Sequence, residues 1–251
     1  MIDLHAHVLP GVDDGPDSPE VALEMLRDAA AEGTTIVAAT PHVRDDYPTS
    51  PETMERVLAD LRRAAAEAEI AVELLPGAEL DLEALRRLDD ETLRRFGLGG
   101  NPSLLLLEFP YSGWPLELDQ TVFRLSARGY TTVLAHPERN ASVQAEPERL
   151  RGVAAAGAVI QLTAASVDGR LGRKTQSTAA ALLDLGLAHL LASDAHGPGV
   201  RSGGLNAAVA AIGGGELGVW LVEEVPRALL AGVPPPPRPE PARRRRRIGR
   251  H

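Results

Sequence analysis

Asp3-Leu4-His5-Ala6-His7 places two histidines one residue apart inside a short apolar run at the start of the chain. Alternate residues of a strand face the same way, so both imidazoles can aim at one point, as a two-histidine metal site requires. A lone H-x-H pair also arises at frayed termini, and the rest of the chain decides between the two readings. Asp13-Asp14-Gly15 follows closely, and His42, Glu79, Glu108, His136, Asp194 and His196 recur in one kind of place, the downstream end of an apolar run. Isolated buried charges are costly, so a metal centre explains this set better than core packing does. Imidazole and carboxylate donors without sulfur suit manganese, iron, cobalt or zinc. The chain has no cysteine, which excludes thiolate ligands, thiol nucleophiles and disulfides.

The apolar runs that would carry these residues are Ile2 to His7, Thr34 to Ala39, Ile70 to Leu75, Ser103 to Leu107, Tyr130 to Ala135, Ala158 to Leu162 and Ala188 to Ala192. They are short and followed by polar or turn-forming residues, the pattern of buried parallel strands. Helical segments are expected between them: Val21 to Ala31, Pro51 to Ala68, Leu82 to Phe96, Leu116 to Arg128, Pro147 to Ala156 and Lys174 to Leu185. Ser18-Pro19 and Ser50-Pro51 supply caps and first-turn prolines, and Gly97, Gly129, Gly157 and Gly186 supply stops. Alternating β and α segments over 251 residues predict an α/β protein with one barrel of the TIM type, whose active site gathers at the C-terminal strand ends.

Formal net charge is -9, unevenly placed. From Arg238 onward seven arginines and one glutamate give +6, leaving about -15 on the body, which argues against a specific nucleic-acid partner. Pro234 to Pro237 and Arg243 to Arg247 predict an extended tail, so the expected division is residues 1–232 as one domain and 233–251 as a Pro/Arg-rich disordered tail. That tail is either simply solvated or a weak contact, through Arg243–Arg247, for an anionic membrane. No apolar run approaches the roughly 18 residues of a membrane span and no basic leader precedes Asp3, so the expected location is cytoplasmic.

The motifs MIDLHAHVLPGVDDGP at 1–16, TPH at 40–42, PGAEL at 76–80, LLLEFP at 105–110, AHPER at 135–139 and ASDAH at 192–196 resemble the PHP (polymerase and histidinol phosphatase) superfamily. Within it the chain resembles the bacterial metal-dependent protein-tyrosine phosphatases that accompany tyrosine kinases of capsule and exopolysaccharide assembly. The resemblance spans roughly residues 1 to 232 and implies the PHP fold, a distorted seven-stranded (β/α) barrel. It implies three divalent metal ions, generally manganese. His5, His7, Glu79 and Asp194 would hold one; Glu79, Glu108 and His136 a second; Asp14, His42 and His196 a third. It also implies that Arg139 and Arg201 hold the substrate phosphate. A phosphotyrosyl protein, in particular a tyrosine kinase of polysaccharide assembly, would be the partner.

Such a ligand set can activate a water for in-line attack on phosphorus while cations neutralise the phosphoryl oxygens. A phenolate, with a pKa of about 10, leaves without a strong general acid. A small-molecule phosphatase such as histidinol phosphatase is the alternative, and a non-catalytic metal-bound module is a third reading that the intact ligand set disfavours. The form Leu9-Pro10-Gly11-Val12-Asp13-Asp14-Gly15 favours the tyrosine phosphatase. Asp13 is either an outer partner of a ligand or a loop acid. His189 is expected to be structural. Tyr47, Tyr111 and Trp114 are either ordinary loop packing or stacking partners for a phosphotyrosine ring. The chain departs from the family pattern at Asn140, where an aromatic residue is usual, at Gly197, in Ser-Gly-Gly after Arg201, and at Val225-Pro226.

Overall fold

The computed structural model describes residues 1–199, 202 and 204–240, so Arg201 and the run Arg243–Arg247 lie outside the described residues. Its strands are β1 (Ile2–Ala6), β2 (Ile36–Ala39), β3 (His42–Arg44), β4 (Tyr47–Pro48), β5 (Glu73–Pro76), β6 (Glu79–Leu80), β7 (Leu104–Leu107), β8 (Thr131–Leu134), β9 (Val159–Thr163) and β10 (Leu190–Ala192). The α-helices are α1 (Pro19–Ala31), α2 (Pro51–Glu67), α3 (Leu82–Arg87), α4 (Asp90–Arg95), α5 (Leu118–Ala127), α6 (Ala141–Ala145), α7 (Leu150–Ala155), α8 (Ala164–Val167), α9 (Arg173–Asp184), α10 (Asn206–Ala211), α11 (Gly215–Val219) and α12 (Val225–Leu230).

Local chemistry accounts for the helix ends. The Ser18 and Ser50 side chains accept from the backbone N–H groups of Val21 and Thr53, and Pro19 and Pro51 occupy the first turns. The single helix expected over Leu82 to Phe96 is two, because Asp89 accepts from Thr92 N at 2.8 Å and starts a new helix in the middle. The short helices α6 and α8 and the segment from α10 to α12 have no counterpart in the sequence expectation.

All strand pairings are parallel except the β3–β4 hairpin. Strand β7 shows why the runs read as continuously apolar. Leu104 and Leu106 enter one core cluster while Leu105 and Leu107 enter the other, so both faces of the sheet are covered. The strands form a three-stranded sheet, β1-β2-β5, and a seven-stranded sheet, β10-β9-β8-β7-β6-β3-β4, rather than one closed seven-stranded ladder. Beyond two of the expected strands the ladder breaks, at Thr40-Pro41 and at Gly77-Ala78 after Pro76, where proline has no N–H for the ladder, and it resumes as β3 and β6. Register survives the interruption: Ala39 faces Pro76 before it and His42 faces Glu79 after it. Between β1 and the end of β10 there is a single bridge, Ala6 to Ala195, flanked by bonds from Asp194 N to His5 O and from His7 N to Ala195 O, each 2.8 Å.

Past Gly232 the described chain has no regular secondary structure, but it is tied down at two points. Trp220 Nε1 donates to Pro236 O at 2.9 Å, and Arg238 donates to Leu183 O at 2.7 Å. No helix among the described residues is long and apolar enough to cross a membrane.

Candidate metal centre

His5 in β1 and His7 just past its end alternate with Leu4 and Ala6, so the chain here turns its imidazoles to the site and its apolar side chains to the core. His42 and Glu79 stand opposite each other where β3 and β6 resume after their proline breaks. Glu108 follows β7, His136 follows β8, and Asp194 and His196 follow β10. His136 and Asp194 have φ of 34° and 51°, a left-handed backbone that costs a non-glycine residue about 1 kcal/mol or more. These sharp turns point both side chains back over the strand ends. Gly15 lets the Asp13-Asp14 loop fold onto the same place, since a Cβ there would stand 2.6 Å from His7 O.

The structure brings all nine candidate ligands together. Ligand atoms lie within 4.8 Å of one another in four groups: His7, Asp14, His42 and His196; His5, His7 and Asp194; His5, Glu79 and His136; and His42, Glu79 and Glu108. Glu108 thus groups with His42 and Glu79, and His136 with His5 and Glu79. Eight of the nine residues are buried, and Asp14 sits at the rim with its side chain 35% exposed. Glu79 is central. Its Oε2 lies 3.3 Å from Nε2 of His5, 3.3 Å from Nε2 of His7 and 3.1 Å from Nδ1 of His42, yet it makes no hydrogen bond. His42 Nδ1 and Glu108 Oε1 are buried without a hydrogen-bond partner as well. Buried polar atoms in this state, converging on a carboxylate, fit a shared cation.

Electrostatics point the same way. Burial opposes charge on Glu79, but the nearby His5, His136 and His7 hold its carboxyl well below the usual range. Asp194 is likewise held low, against burial, by His5, His136 and Arg139. Against its own desolvation, His7 is raised to about 10 by Asp13 and Glu79. Burial and the neighbouring charge of Glu79 push Glu108 up to about 7, although Arg44 opposes this. The clustered carboxylates therefore favour a proton on His5 and His7, whereas burial lowers His42 to about 3 and lowers His136 as well; divalent cations would replace the protons on the first pair and meet the second already neutral.

Arg139 is ion-paired with Asp194, which puts its guanidinium beside the cluster. Asp13 is not a free loop acid but touches a candidate ligand. Its Oδ2 lies 2.6 Å from His7 Nδ1 and accepts from His42 N at 2.9 Å. Gln161 was missed by sequence reasoning, although a glutamine inside the apolar run AVIQL was a signal. Its Oε1 accepts from His136 N at 3.3 Å and lies 3.1 Å from His5 Nδ1. Arg44 was missed too. It shares a strand face with His42 and reaches Glu108 Oε2 at 3.3 Å. His189 is structural: its Nδ1 accepts from Ile160 N at 2.9 Å, and burial together with Arg238 lowers its pKa to about 4.

Residues 1–216 match the family of capsular polysaccharide synthesis proteins CpsB/CapC. The chain belongs to the CpsB/CapC family. Among its CpsB/CapC relatives, the tyrosine-protein phosphatase YwqE of Bacillus subtilis is 31% identical over 204 residues, covering 80% of each chain. The putative tyrosine-protein phosphatase CapC of Staphylococcus aureus is 32% identical over 200 residues, 78% of this chain and 77% of that protein. In three dimensions the chain is similar to a chain from the crystal structures of YwqE and of CpsB from Streptococcus pneumoniae, described as metal-dependent tyrosine phosphatases. The TM-score is 0.86 at 30% identity, over 96% of this chain and all of that one. The resemblance read from the motifs is thus confirmed, as is the α/β fold with its parallel strands.

Proposed function

We propose that this CpsB/CapC protein is a metal-dependent protein-tyrosine phosphatase acting on a phosphotyrosyl protein of capsule or exopolysaccharide assembly, in particular a tyrosine kinase. The observation that carries the reading is Glu79 Oε2, buried among three imidazole nitrogens without a hydrogen bond. The donor set would hold three divalent ions: one on His5, His7, Glu79 and Asp194, a second on Glu79, Glu108 and His136, and a third on Asp14, His42 and His196. The groups His5-His7-Asp194 and His7-Asp14-His42-His196 support the first and third sets, while in the second Glu79 is the residue that groups with both His136 and Glu108. Manganese is the ion proposed; iron, cobalt and zinc satisfy the same nitrogen and oxygen donors.

Such ions supply Lewis-acid neutralisation of the phosphoryl oxygens and lower the pKa of a water nucleophile. The chain's own residues bind and orient. Arg139 presents a planar fork to the phosphate, and Arg201 is proposed as its second clamp. Asp13 and Gln161 hold the imidazoles of His7 and His5 in place through their Nδ1 atoms. The phenolate leaves with little need of an acid.

This reading treats the two sheets as seven staves of one distorted barrel, since register continues across both proline breaks. Residues 1–232 form the catalytic domain and 233–251 the tail, and Arg243–Arg247 give it a weak attraction to anionic membranes. The enzyme works in the cytoplasm, where ATP-dependent phosphorylation supplies its substrate. The test is hydrolysis of a phosphotyrosyl peptide and of histidinol phosphate before and after exhaustive chelation. Activity on the peptide should vanish with the metal and return with manganese, and thiol alkylation should change nothing. Full activity after metal removal verified by elemental analysis would refute the metal role, and a preference for histidinol phosphate would refute the substrate.

A further inference from the structure

We infer that the loop from Phe109 to Pro115, fastened by Asn140, forms an aryl subsite, and that Tyr111 makes this protein select aromatic over aliphatic phosphate groups. The inference rests on the phosphatase reading and names the part of that site that would recognise the ring.

A pocket of about 450 Å³ adjoins the metal cluster through Glu108, and Arg44, Arg86, Phe109, Tyr111 and Trp114 line it. That volume lies within the range of ligand sites. Tyr111 stacks on His136, with ring centroids 5.9 Å apart and planes 17° from parallel. The Arg139 guanidinium lies 4.8 Å from the centre of the Tyr111 ring. Tyr111 is nonetheless 46% exposed, so ring surface remains for a ligand. A phosphate held by Arg139 therefore carries its ester substituent next to an aromatic wall. A phenyl group gains a ring–ring contact there that a small alkyl group does not.

The loop has no regular secondary structure, and Asn140 holds it. Asn140 Nδ2 donates to Pro110 O at 2.6 Å and to Gly113 O at 2.8 Å, while Oδ1 accepts from Ser142 N and Val143 N at the start of α6. Ala141 N donates to Tyr111 O at 2.8 Å. One amide, 2% exposed, thus ties the residue after Arg139 to the loop that carries Tyr111. A phenylalanine at position 140 could make none of these bonds. Asn140 is a positioning residue, and Tyr111 supplies the aromatic surface.

The test uses the full chain loaded with manganese and two ligands that cannot be hydrolysed, phenylphosphonate and methylphosphonate. Binding is measured by calorimetry and by inhibition of 4-nitrophenyl phosphate hydrolysis. The parent should bind phenylphosphonate about tenfold more tightly. Tyr111→Leu should cut that ratio to about threefold or less, and Tyr111→Phe should keep it. Asn140→Asp retains the helix-cap acceptors but loses both donors to the loop. It should reduce the ratio as well, and in a Trp220→Phe background it should increase acrylamide quenching of Trp114, the remaining tryptophan. Equal binding of the two phosphonates by the parent overturns the inference even if phosphotyrosine is hydrolysed. So does a parental ratio in Tyr111→Leu, or a loss in Tyr111→Phe as large as in Tyr111→Leu. Selective binding without hydrolysis of any phosphate ester leaves the subsite standing and refutes the phosphatase reading instead.

Discussion

Gln161→Leu isolates the part played by a side chain that touches no substrate. The backbone N–H of His136 can only donate, so the Gln161 atom 3.3 Å from it must be the amide oxygen. The same oxygen lies 3.1 Å from His5 Nδ1, which therefore carries a proton and leaves Nε2 as the atom that faces Glu79, Asp194 and His7 and would hold a cation in place of a proton. Leucine has similar volume but no acceptor. Two buried donors then lose their partner, at about 1–3 kcal/mol each. The loss at His136 N is the same with and without metal, so it lowers stability only. The loss at His5 falls on ring orientation and tautomer, and removing such an outer partner weakens metal affinity by about 10- to 100-fold, or about 1.4–2.7 kcal/mol. Manganese affinity is measured by competition with a chelating indicator, alongside thermal melts, where each kcal/mol lowers Tm by about 2–4 °C in a chain of this size. Gln161→Glu keeps an acceptor and should regain most of the affinity. A folded Gln161→Leu with parental manganese affinity, or a Gln161→Glu as weak as Gln161→Leu, would refute the reasoning.

Glu79→Ala should lose bound metal as well as rate, whereas Arg139→Ala should keep its metal by elemental analysis and lose about 10²–10³ in kcat/KM on a phosphotyrosyl peptide; unchanged kinetics in Arg139→Ala would show its role is misassigned. His189 has a folded pKa of about 4, below the 6.5 of the free side chain, so the unfolded chain binds the proton first as pH falls. Its contribution is complete above pH 6.5 and is lost toward pH 4, about 2 kcal/mol of it by pH 5. Urea melts of the parent should therefore lose more stability between pH 7 and 5 than melts of His189→Gln, and equal losses would contradict this. A chain ending at Gly232 loses the bonds from Trp220 to Pro236 O and from Arg238 to Leu183 O, and should melt a few degrees lower than one ending at Glu240 while hydrolysing a small aryl phosphate equally well. Vesicle co-sedimentation at low and high salt checks the arginine run: the full chain should bind anionic lipid more than either truncation does, and salt should erase the difference.

The candidate site was legible because its residues carry their positions with them. His5 and His7 are placed by strand alternation alone, and His136, Asp194 and His196 by following runs too apolar to lie anywhere but the interior. Strand ends blurred where proline interrupts a ladder, as at Pro41 and Pro76, because pairing there depends on a neighbour far away in sequence. The break inside the helix expected over Leu82 to Phe96 was missed because Asp89 reads equally well as a surface residue and as a cap. Gln161, Arg44 and Asn140 stayed obscure for a related reason: a polar side chain acquires a role only through the partner it meets.

The amino-acid sequence by itself determined the kind of protein: apolar runs alternating with capped helical segments demand a covered parallel sheet, and the acids and imidazoles after those runs supply donors that could hold cations. Only the tertiary structure decided which of these groups share an atom. Glu79 meets His5, His7, His42 and His136 at contacts of 2.9 to 3.3 Å, although more than 70 residues separate it from His5 and more than 50 from His136. Periodicity fixes which way a side chain faces along its own strand. The distance between two strand ends is set by register, by breaks and by the turn that follows, and those are properties of the assembled sheet.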